Sequence, residues 1–584
     1  MSPHADPLLH KRVWWKEATF YQVYPASFKD SNGDGWGDIP GLLSKIPYIA
    51  SLGVDVVWLS PMFESPQVDM GYDISDYEAV DPSYGTVEDV ESLVKACHDN
   101  GMKLILDLVV NHSSDQHAWF KESRSSKDNP KRDWYFWRPA RYDEHGNRMP
   151  PTNYRSYFAG GTWTWDEHTQ EYYLHLYDKS QPDLNWENED CRKAIYDSAM
   201  RFWLDKGIDG FRVDTVNKYS KHTDFPDAPI TDPTTFIQPA AQFWCNGPRI
   251  HEFIKEMNSK VLANYTTYDG QPVVTVGELS LTPDPEGVLP YVSARQKELD
   301  MVFQFDITHL GQGSGFLDKY DFAPWKLPEM KRIVEKWQTF IEGTDGWTTV
   351  FNENHDNGRS VSRFACDSPE WRERSAKMLA LWLVTQTGTL FLYQGQEIGM
   401  INALKDFSIE EYKDVESQNF WKEAVRLSED GTDPTRKERI LHGLQLMARD
   451  HARLPFQWDT SANGGFTTGE PWMRAHSLYK DINAKSQEKD HDSVLSFYKR
   501  LLRLRKEHKD VFVYGTFELT DPEDVNTFVF RKHYQEKTAL IALNFTKTPQ
   551  PAPSRDGMAL LASSYSKPTG DTLGPFEGRV YINY

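Results

Sequence analysis

The segment GFRVDTV, residues 210–216, is a short apolar run that carries two charged side chains near its end. Arg212 and Asp214 stand two residues apart, so in a β-strand both would point to the same side. A buried strand seldom takes such residues unless its end lies beside a functional site. If this segment is one strand of a parallel sheet, the rest of the chain should contain similar strands, because parallel sheets are built from repeated strand–helix units.

Seven other segments are also short, apolar and rich in β-branched or aromatic residues. They are ATFYQVYPASF (18–28), VDVVWLSPMF (54–63), KLILDLVVNH (103–112), VVTVGEL (273–279), MVFQFDI (301–307), WTTVFNENHD (347–356) and TLFLYQGQEIG (389–399). Helical stretches separate them, which is typical of parallel strands joined by crossover helices. With residues 210–216 they make eight strands, and this number favours a TIM-type (β/α)₈ barrel of the α/β class over an open sheet.

One of the intervening helices has clear signals at both ends. Thr86 and Asp89 have the spacing of a capping box, with Asp in place of the usual Glu. Gly101 follows the stretch and can end it in the left-handed conformation. The sequence therefore predicts a helix over residues 87–99.

Two regions break the strand–helix alternation. Residues 113–180 mix turn residues with short aromatic runs, and we expect them to form a subdomain inserted after strand three. From residue 514 the helical pattern stops, and runs of alternating character predict a C-terminal antiparallel β-sandwich domain over 514–584. The predicted barrel domain then comprises residues 1–112 and 181–513.

Composition excludes several classes of partner. A formal net charge of −21 over 584 residues opposes binding to nucleic acid or to an anionic membrane. No apolar run of about 18 residues indicates a membrane span. The 4 cysteines have no metal-binding spacing and the N-terminus has no secretory signal, so we predict a cytoplasmic protein. The sequence does not indicate an oligomeric state.

Several predicted strands end in polar residues that would meet at one mouth of a barrel. These residues are Asp107, Asn111, His112, Arg212, Asp214, Glu278, His355 and Asp356. Each carboxylate taken alone could simply cap the following helix. Their joint occurrence instead predicts an active site, because catalytic residues of such barrels come from the C-terminal ends of several strands. Carboxylates without metal spacing, a serine nucleophile motif or a phosphate loop favour glycoside chemistry.

A second motif, DSNGDGWGD at residues 30–38, contains alternating oxygen donors as in a calcium loop. The closing glutamate of an EF-hand is missing, so the side chain of Asp38 and the backbone carbonyl of Trp36 would complete the shell begun by Asp30, Asn32 and Asp34. We predict a structural Ca²⁺ here and no cofactor for catalysis. Mg²⁺ is an alternative ion, and a loop of Asx turns that needs no ion is another alternative.

Seven motifs occur in an order that matches a known family. They are YQVYPASFKDSNGDGWGD, DLVVNH, QPDLN, GFRVD, VGE, ENHD and RDHARLPFQW. They resemble those of the α-amylase superfamily, in particular its fungal maltase and isomaltase (oligo-1,6-glucosidase) group, from about Trp14 to the C-terminus. The resemblance implies a retaining, exo-acting α-glucosidase that releases glucose from short α-glucosides such as maltose or isomaltose. Transglucosylation is also implied, because a sugar can replace water as acceptor.

The same resemblance implies roles for the charged residues at the barrel mouth. Asp214 would be the nucleophile, Glu278 the general acid and then base, and Asp356 the third carboxylate. Arg212 would keep the nucleophile ionised through its nearby positive charge. Glu278 needs the opposite treatment, because an acid must hold its proton near neutral pH.

Further positions match sugar-binding residues of the family. His112 and His355 match histidines that bind hydroxyl groups. Asp69 and Arg453 match a pair that closes the non-reducing end of the pocket, with Tyr72 stacking on the sugar. The other matching pocket positions are Phe158, Tyr177 and Gln181.

Specificity is indicated by the residue that follows the nucleophile. In this family Val at that position is associated with α-1,6 preference, and Thr or Ala with α-1,4 or mixed activity; here it is Thr215. We therefore expect a maltase-type or dual-specificity enzyme. Five neighbouring residues depart from the bakers' yeast pattern and are expected to flank the acceptor site: Val216, Asn217, Lys218, Leu279 and Ser280. Rival activities of the same fold are sucrose or trehalulose isomerase, trehalose synthase and phosphotrehalose hydrolase.

Overall fold

The computed structural model describes residues 11–313, 319–555, 557–568 and 570–583. Its centre is a sheet of eight parallel strands, called strands one to eight below. Their bounds are Thr19–Val23, Val56–Leu59, Lys103–Leu108, Gly210–Val213, Val274–Glu278, Met301–Phe303, Thr349–Val350 and Thr389–Tyr393. Each lies inside one of the eight predicted segments, so the strand prediction is confirmed. Parts of two predicted domains lie outside the described residues. They are residues 1–10 and 314–318 of the barrel domain and residues 556, 569 and 584 of the C-terminal domain.

The order of hydrogen-bonded strands is six, five, four, three, two, one, eight, seven. Neighbouring strands from one to six pair in parallel, as do strands seven and eight, and strand one also pairs with strand eight, the last of the eight along the chain. Side chains bridge strands six and seven, since Thr349 Oγ1 donates to the carbonyl of Val302 at 3.0 Å. These pairings confirm the predicted (β/α)₈ barrel.

Helices surround the sheet. The α-helices are Trp14–Glu17, Ile39–Leu43, Ile46–Leu52, Val87–Asp99, Ala118–Ser125, Glu189–Ile195, Phe202–Leu204, Ala241–Trp244, Ile250–Lys260, Pro285–Val292, Asp306–His309, Leu327–Thr339, Ser360–Phe364, Arg372–Val384, Val415–Glu429, Arg436–Met447, Ala484–Glu488, Val494–Glu507 and Lys509–Phe512. The helix predicted over 87–99 is confirmed together with its capping box. No helix in the part of the chain that the structure describes is long and apolar enough to cross a membrane.

The strands alternate between two cores. On strand two, Val56 and Trp58 point into the barrel, whereas Val57 and Leu59 pack against the surrounding helices. This period of two is the natural alternation of a pleated strand. Strand four begins at Gly210, where φ is +150° and a Cβ atom would stand 2.0 Å from the carbonyl oxygen of Val274. Only glycine allows strands four and five to approach this closely, and these two strands carry Asp214 and Glu278.

Two regions lie outside the barrel pattern. Between strands three and four, the antiparallel strands Trp137–Arg138, Glu171–Leu174 and Trp163–Asp166 form a small sheet, and Arg141–Tyr142 pairs with Arg148–Met149.

After the barrel, five antiparallel strands follow in the spatial order Thr516–Thr520, Thr527–Tyr534, Lys537–Asn544, Gly578–Ile582 and Ala559–Ser563. Four of these strands coincide with the alternating runs FELTDP (517–522), NTFVFRKHY (526–534), TALIALNFTK (538–547) and GRVYINY (578–584), and Ala559–Ser563 was missed because its residues lack clear alternation. The exact domain boundaries stay a prediction.

Arg505 ties the last barrel helix to strand eight. Its side chain, on helix Val494–Glu507, is buried and donates to the carbonyl oxygens of Val384 at 2.5 Å, Gln386 at 2.8 Å and Gly388 at 2.5 Å. These carbonyls lie between the end of helix Arg372–Val384 and the start of strand eight. A buried carbonyl without a donor destabilises the fold, so this one guanidinium has a large structural effect.

We expect Arg505→Met to lower the free energy of unfolding by about 3 to 5 kcal/mol, because three buried carbonyls lose a charged donor. Urea denaturation followed by fluorescence measures the change. Arg503→Met is the matched control, since Arg503 is exposed on the same helix. Equal stability of the two variants would contradict the assignment.

Candidate active site

A pocket opens at the C-terminal ends of the barrel strands. Ten of the residues predicted for catalysis or sugar binding line it: Asp69, Tyr72, His112, Phe158, Tyr177, Asp214, Thr215, Glu278, His355 and Asp356. The other three, Gln181, Arg212 and Arg453, lie behind the wall and donate hydrogen bonds to Asp69, Asp214 and Asp356 respectively. The structure therefore brings all thirteen predicted positions to one place.

Arg212 is the centre of the charged network. Its Nη1 donates to Asp107 Oδ1 and to Asp214 Oδ1, each at 2.6 Å, and its Nη2 donates to Glu278 Oε2 at 2.6 Å. Only 3% of the Arg212 side chain is exposed. One guanidinium thus holds carboxylates from the ends of strands three, four and five in fixed positions.

Burial and charge act in opposite directions on the two central carboxyls. Burial raises the pKa of Asp214, while the neighbouring Arg212 opposes that rise. Burial also raises the pKa of Glu278, to about 7, with Arg212 again opposing and the charge of Asp214 adding to the rise. Arg212 thus lowers the pKa of Asp214, as expected from the sequence, but burial has the larger effect and the pKa of Asp214 is raised. Glu278 has the raised pKa that a general acid needs.

The pKa of Asp356 is shifted in the opposite direction to those of Asp214 and Glu278. Burial would raise its pKa, but the charges of Arg449 and Arg453 outweigh burial and hold the pKa of Asp356 well below its usual range. Arg449 Nε donates to Asp356 Oδ1 at 2.8 Å, and Arg453 Nη2 donates to the same oxygen at 3.1 Å. Asp356 is therefore an anion that accepts hydrogen bonds.

His355 is held as a neutral imidazole. Burial keeps its pKa well below the usual range, although the charge of Asp356 opposes this. The amide of Gln22 donates to Nδ1 of His355 at 2.7 Å, so the ring proton is on Nε2 and faces the Tyr72 hydroxyl at 2.7 Å. The Tyr72 and His355 rings stack 5.2 Å apart with only 4° between their planes. Each ring therefore fixes the orientation of the other.

At the end of the pocket that Asp69 and Arg453 were predicted to close, the structure differs from the prediction in one residue. Arg449, not Arg453, is the arginine near Asp69, with Nη1 3.5 Å from Asp69 Oδ1. Arg453 belongs to the same 3₁₀ helix, Arg449–Arg453, but its Nη1 binds Asp414 at 2.7 Å. Burial raises the pKa of Asp69 to about 8 despite the charge of Arg449. Asp69 is also bonded to Gln181, whose Nε2 donates to Oδ2 at 3.0 Å.

Aromatic rings from the region between strands three and four form one wall. The Phe158 and Tyr177 rings meet edge to face at 5.3 Å, and Tyr157 stacks on Tyr177 at 5.0 Å. His112 contacts the other side of Tyr177 at 5.1 Å, and burial lowers the pKa of His112 to about 4. Such a wall suits the apolar face of a sugar ring.

Several pocket residues were missed in the sequence. They are Tyr157, Phe305, Thr308, His309, Gln312, Lys319, Asn357, Glu416 and Arg449. The segment after strand six contributes four of these, and its position at a strand end was a usable signal. Glu416 gave no comparable signal, because it lies in the first turn of helix Val415–Glu429, far along the chain from its partners Lys319 and Tyr320.

Hydrogen bonds within the chain shape the loop at residues 30–38. Backbone N–H groups of Asn32, Asp34 and Trp36 each donate at 2.9 Å to the side chain two residues earlier, which makes three consecutive Asx turns. Asp38 accepts from Gly41 at 2.6 Å and begins helix Ile39–Leu43. Among the described residues no group of three or more His, Cys, Asp or Glu is gathered for a metal. Calcium at this loop stays a prediction.

If the loop binds calcium, adding millimolar Ca²⁺ to chelator-treated protein raises its unfolding temperature, because an ion that binds only the folded state stabilises it. Asp34→Asn should show a smaller increase, since it removes one negative ligand. An unfolding temperature that Ca²⁺ does not change would contradict the calcium prediction.

The barrel and its paired carboxylates define a glycoside hydrolase. The model of the family described as Alpha amylase, catalytic domain, matches residues 22–515. The chain belongs to this α-amylase family. The family that the sequence motifs resemble is therefore confirmed.

Two relatives that match over nearly the full length are glucosidases by name. An α-glucosidase of Candida albicans is 50% identical over 579 residues, covering 98% of this chain and 100% of the relative. An oligo-1,6-glucosidase of Saccharomyces cerevisiae is 46% identical, covering 98% and 99%. Among solved structures, an isomaltulose synthase from Klebsiella has a TM-score of 0.90 at 38% identity, covering 98% and 99%. A trehalulose synthase mutant has a TM-score of 0.89 at 41% identity, covering 98% and 100%.

The raised pKa of Glu278 predicts the pH dependence of hydrolysis. The acid acts when protonated, so kcat/KM should be high below pH 7 and fall as pH rises through a value near 7. Initial rates on a glucoside with a sugar leaving group, measured between pH 5 and about 9, check this. A rate that stays constant to about pH 9 would rule out Glu278 as the acid.

Proposed function

We propose that this protein is a retaining, exo-acting α-glucosidase that hydrolyses short α-glucosides from the non-reducing end. The observation that carries the proposal is the guanidinium of Arg212, which binds both Asp214 and Glu278 at 2.6 Å. Two carboxylates on one guanidinium lie close together, as in retaining enzymes, where about 5 to 5.5 Å separates them. Inverting enzymes need a gap of about 6.5 to 9.5 Å for a water molecule.

In the first step, Asp214 attacks the anomeric carbon of the glucosyl unit. Glu278 donates its proton to the glycosidic oxygen, so the bond to the leaving sugar breaks and a glucosyl ester on Asp214 forms. In the second step, water gives a proton to Glu278 and attacks the same carbon. α-Glucose leaves, and both carboxyls return to their starting states. A second sugar in place of water gives transglucosylation.

The remaining groups bind the glucosyl unit. Asp356, held anionic by Arg449 and Arg453, accepts hydrogen bonds from sugar hydroxyls. Asp69 and Arg449 close one end of the pocket next to Tyr72 and Phe158. A closed end accepts a chain terminus only, which supports exo action.

The names of the relatives support glucose release over isomerisation. The glucosidases match at 46% to 50% identity over the full length, whereas the isomaltulose and trehalulose synthases match at 37% to 41%. Thr215 beside the nucleophile supports activity on α-1,4 linkages or on both linkages. Sucrose isomerase activity is the second candidate.

The proposed location is the cytoplasm. Cys97, Cys191, Cys245 and Cys366 are free thiols, and a reducing compartment keeps thiols in this state. The proposed substrate is a neutral oligosaccharide, which the net charge of −21 does not repel.

Proton NMR during hydrolysis of maltose and of isomaltose tests the proposal. We expect α-glucose as the first product from at least one disaccharide, with a higher kcat/KM on maltose or comparable values on both. Asp214→Ala and Glu278→Gln should each lose at least about 10³-fold of this activity, since they remove the nucleophile and the acid. β-Glucose as the first product would contradict retention, and isomerised products without glucose would favour the second candidate.

A further inference from the structure

Lys218 is a buried cation beside the pocket that takes no part in the two chemical steps above. It ends the 3₁₀ turn Val216–Lys218, which follows strand four, and 0% of it is exposed. Its Nζ donates to Ser280 Oγ at 2.7 Å and lies 3.5 Å from Asn217 Oδ1. The same Nζ stands 5.1 Å from the centroid of the Tyr157 ring.

The neighbouring Lys221 is a buried lysine whose charge is balanced by a carboxylate. Lys221 is equally buried and forms an ion pair with Asp183 at 3.0 Å. Among the described residues, no carboxylate lies within 4 Å of Lys218. A buried ammonium is costly unless polar groups surround it, so the hydroxyl, the amide and the ring face must act as its partners. The position of Lys218 is therefore tightly defined.

Two of these partners form part of the pocket wall. Ser280 and Tyr157 both line the pocket, and their side-chain oxygens are 3.2 Å apart. Asn217 holds the same segment from behind, because its Nδ2 donates to the backbone oxygen of Ser280 at 2.6 Å. Lys218 occupies an acceptor position on Ser280 Oγ. The hydroxyl proton of Ser280 is then available to a neighbouring oxygen.

Ser280 and Tyr157 face the part of the pocket that the leaving sugar must occupy. Ser280 is two residues beyond Glu278 at the end of strand five, and a general acid has to reach the glycosidic oxygen. The leaving sugar therefore lies on the Glu278 side of the pocket. The closed end with Asp69 and Arg449 holds the other sugar.

We propose that Lys218 is a positioning residue that fixes the Ser280 hydroxyl against Tyr157, so that this pair binds a hydroxyl group of the leaving or acceptor sugar. The proposal rests on the α-glucosidase function and adds to it a determinant of selectivity for the second sugar. Lys218 acts through Ser280 and does not itself touch the substrate.

Substrates with and without hydroxyl groups on the leaving group separate this role from a merely structural one. Lys218→Met and Ser280→Ala should each lower kcat/KM for maltose or isomaltose by about tenfold or more, the value of a hydrogen bond in a desolvated site. Their kcat/KM for p-nitrophenyl α-glucoside should stay within about twofold, because an aryl group has no hydroxyl to bind. Thr282→Val is the matched control: Thr282 Oγ1 also accepts from Asn217, at 3.0 Å, but does not line the pocket.

A second measurement reports on the charge of Lys218. Burial raises the pKa of Glu278, while Arg212 and Lys218 lower it. In Lys218→Met the alkaline limb of kcat/KM on maltose or isomaltose should therefore move to higher pH, whereas Ser280→Ala should leave it in place.

The outcomes are distinct. Larger losses on the disaccharides than on the aryl glucoside in both variants support the proposal. Equal losses on all substrates in Ser280→Ala, which removes only one hydroxyl, would overturn it even if Lys218→Met fails to fold. If the unaltered protein hydrolyses neither the disaccharides nor the aryl glucoside, the α-glucosidase function itself fails and this proposal fails with it.

Discussion

The contact between Arg212 and the carboxylates of Asp107, Asp214 and Glu278 is the interaction on which the site depends. Each of these acids alone would be costly to bury, because a charge without a partner is poorly solvated inside a protein. One guanidinium with hydrogen bonds of 2.6 Å to all three makes their burial tolerable. It also fixes the distance between the two groups that form and break bonds. Without this cation, Asp214 would be harder to ionise and the two acids would repel each other.

The barrel makes this arrangement possible by geometry alone. Parallel strands three, four and five are hydrogen-bonded neighbours, so their C-terminal ends deliver Asp107, Asp214 and Glu278 to one mouth. The backbone is strained at Thr215, directly after Asp214. Thr215 adopts φ +41°, which is unfavourable for a β-branched residue, and its N–H then lies 3.3 Å from Glu278 Oε2. The turn that follows places Lys218 behind the wall of the second sugar site.

The eight strands and the charged strand ends could be predicted because both leave local patterns. Apolar runs that end in Asp107, Asp214, Glu278 or Asp356 are visible without any knowledge of packing. The arginine that contacts Asp69 was not predictable, since Arg449 and Arg453 lie four residues apart and only side-chain packing selects between them. Glu416 and the Lys218–Ser280 contact escaped for the same reason, as both join segments that are distant in sequence. The pKa balance at Asp214, where burial outweighs Arg212, also depends on three-dimensional burial.

The central claim is that Asp214, held by Arg212, forms a covalent bond to glucose while Glu278 serves as the acid. Mass spectrometry of the protein after brief reaction with a 5-fluoro-α-glucosyl fluoride, which slows release of the intermediate, tests it most directly. The account predicts one added fluoroglucosyl group per chain, located on the peptide that contains Asp214 and absent in Asp214→Ala. A label on another carboxylate, or turnover without any covalent intermediate, would contradict it.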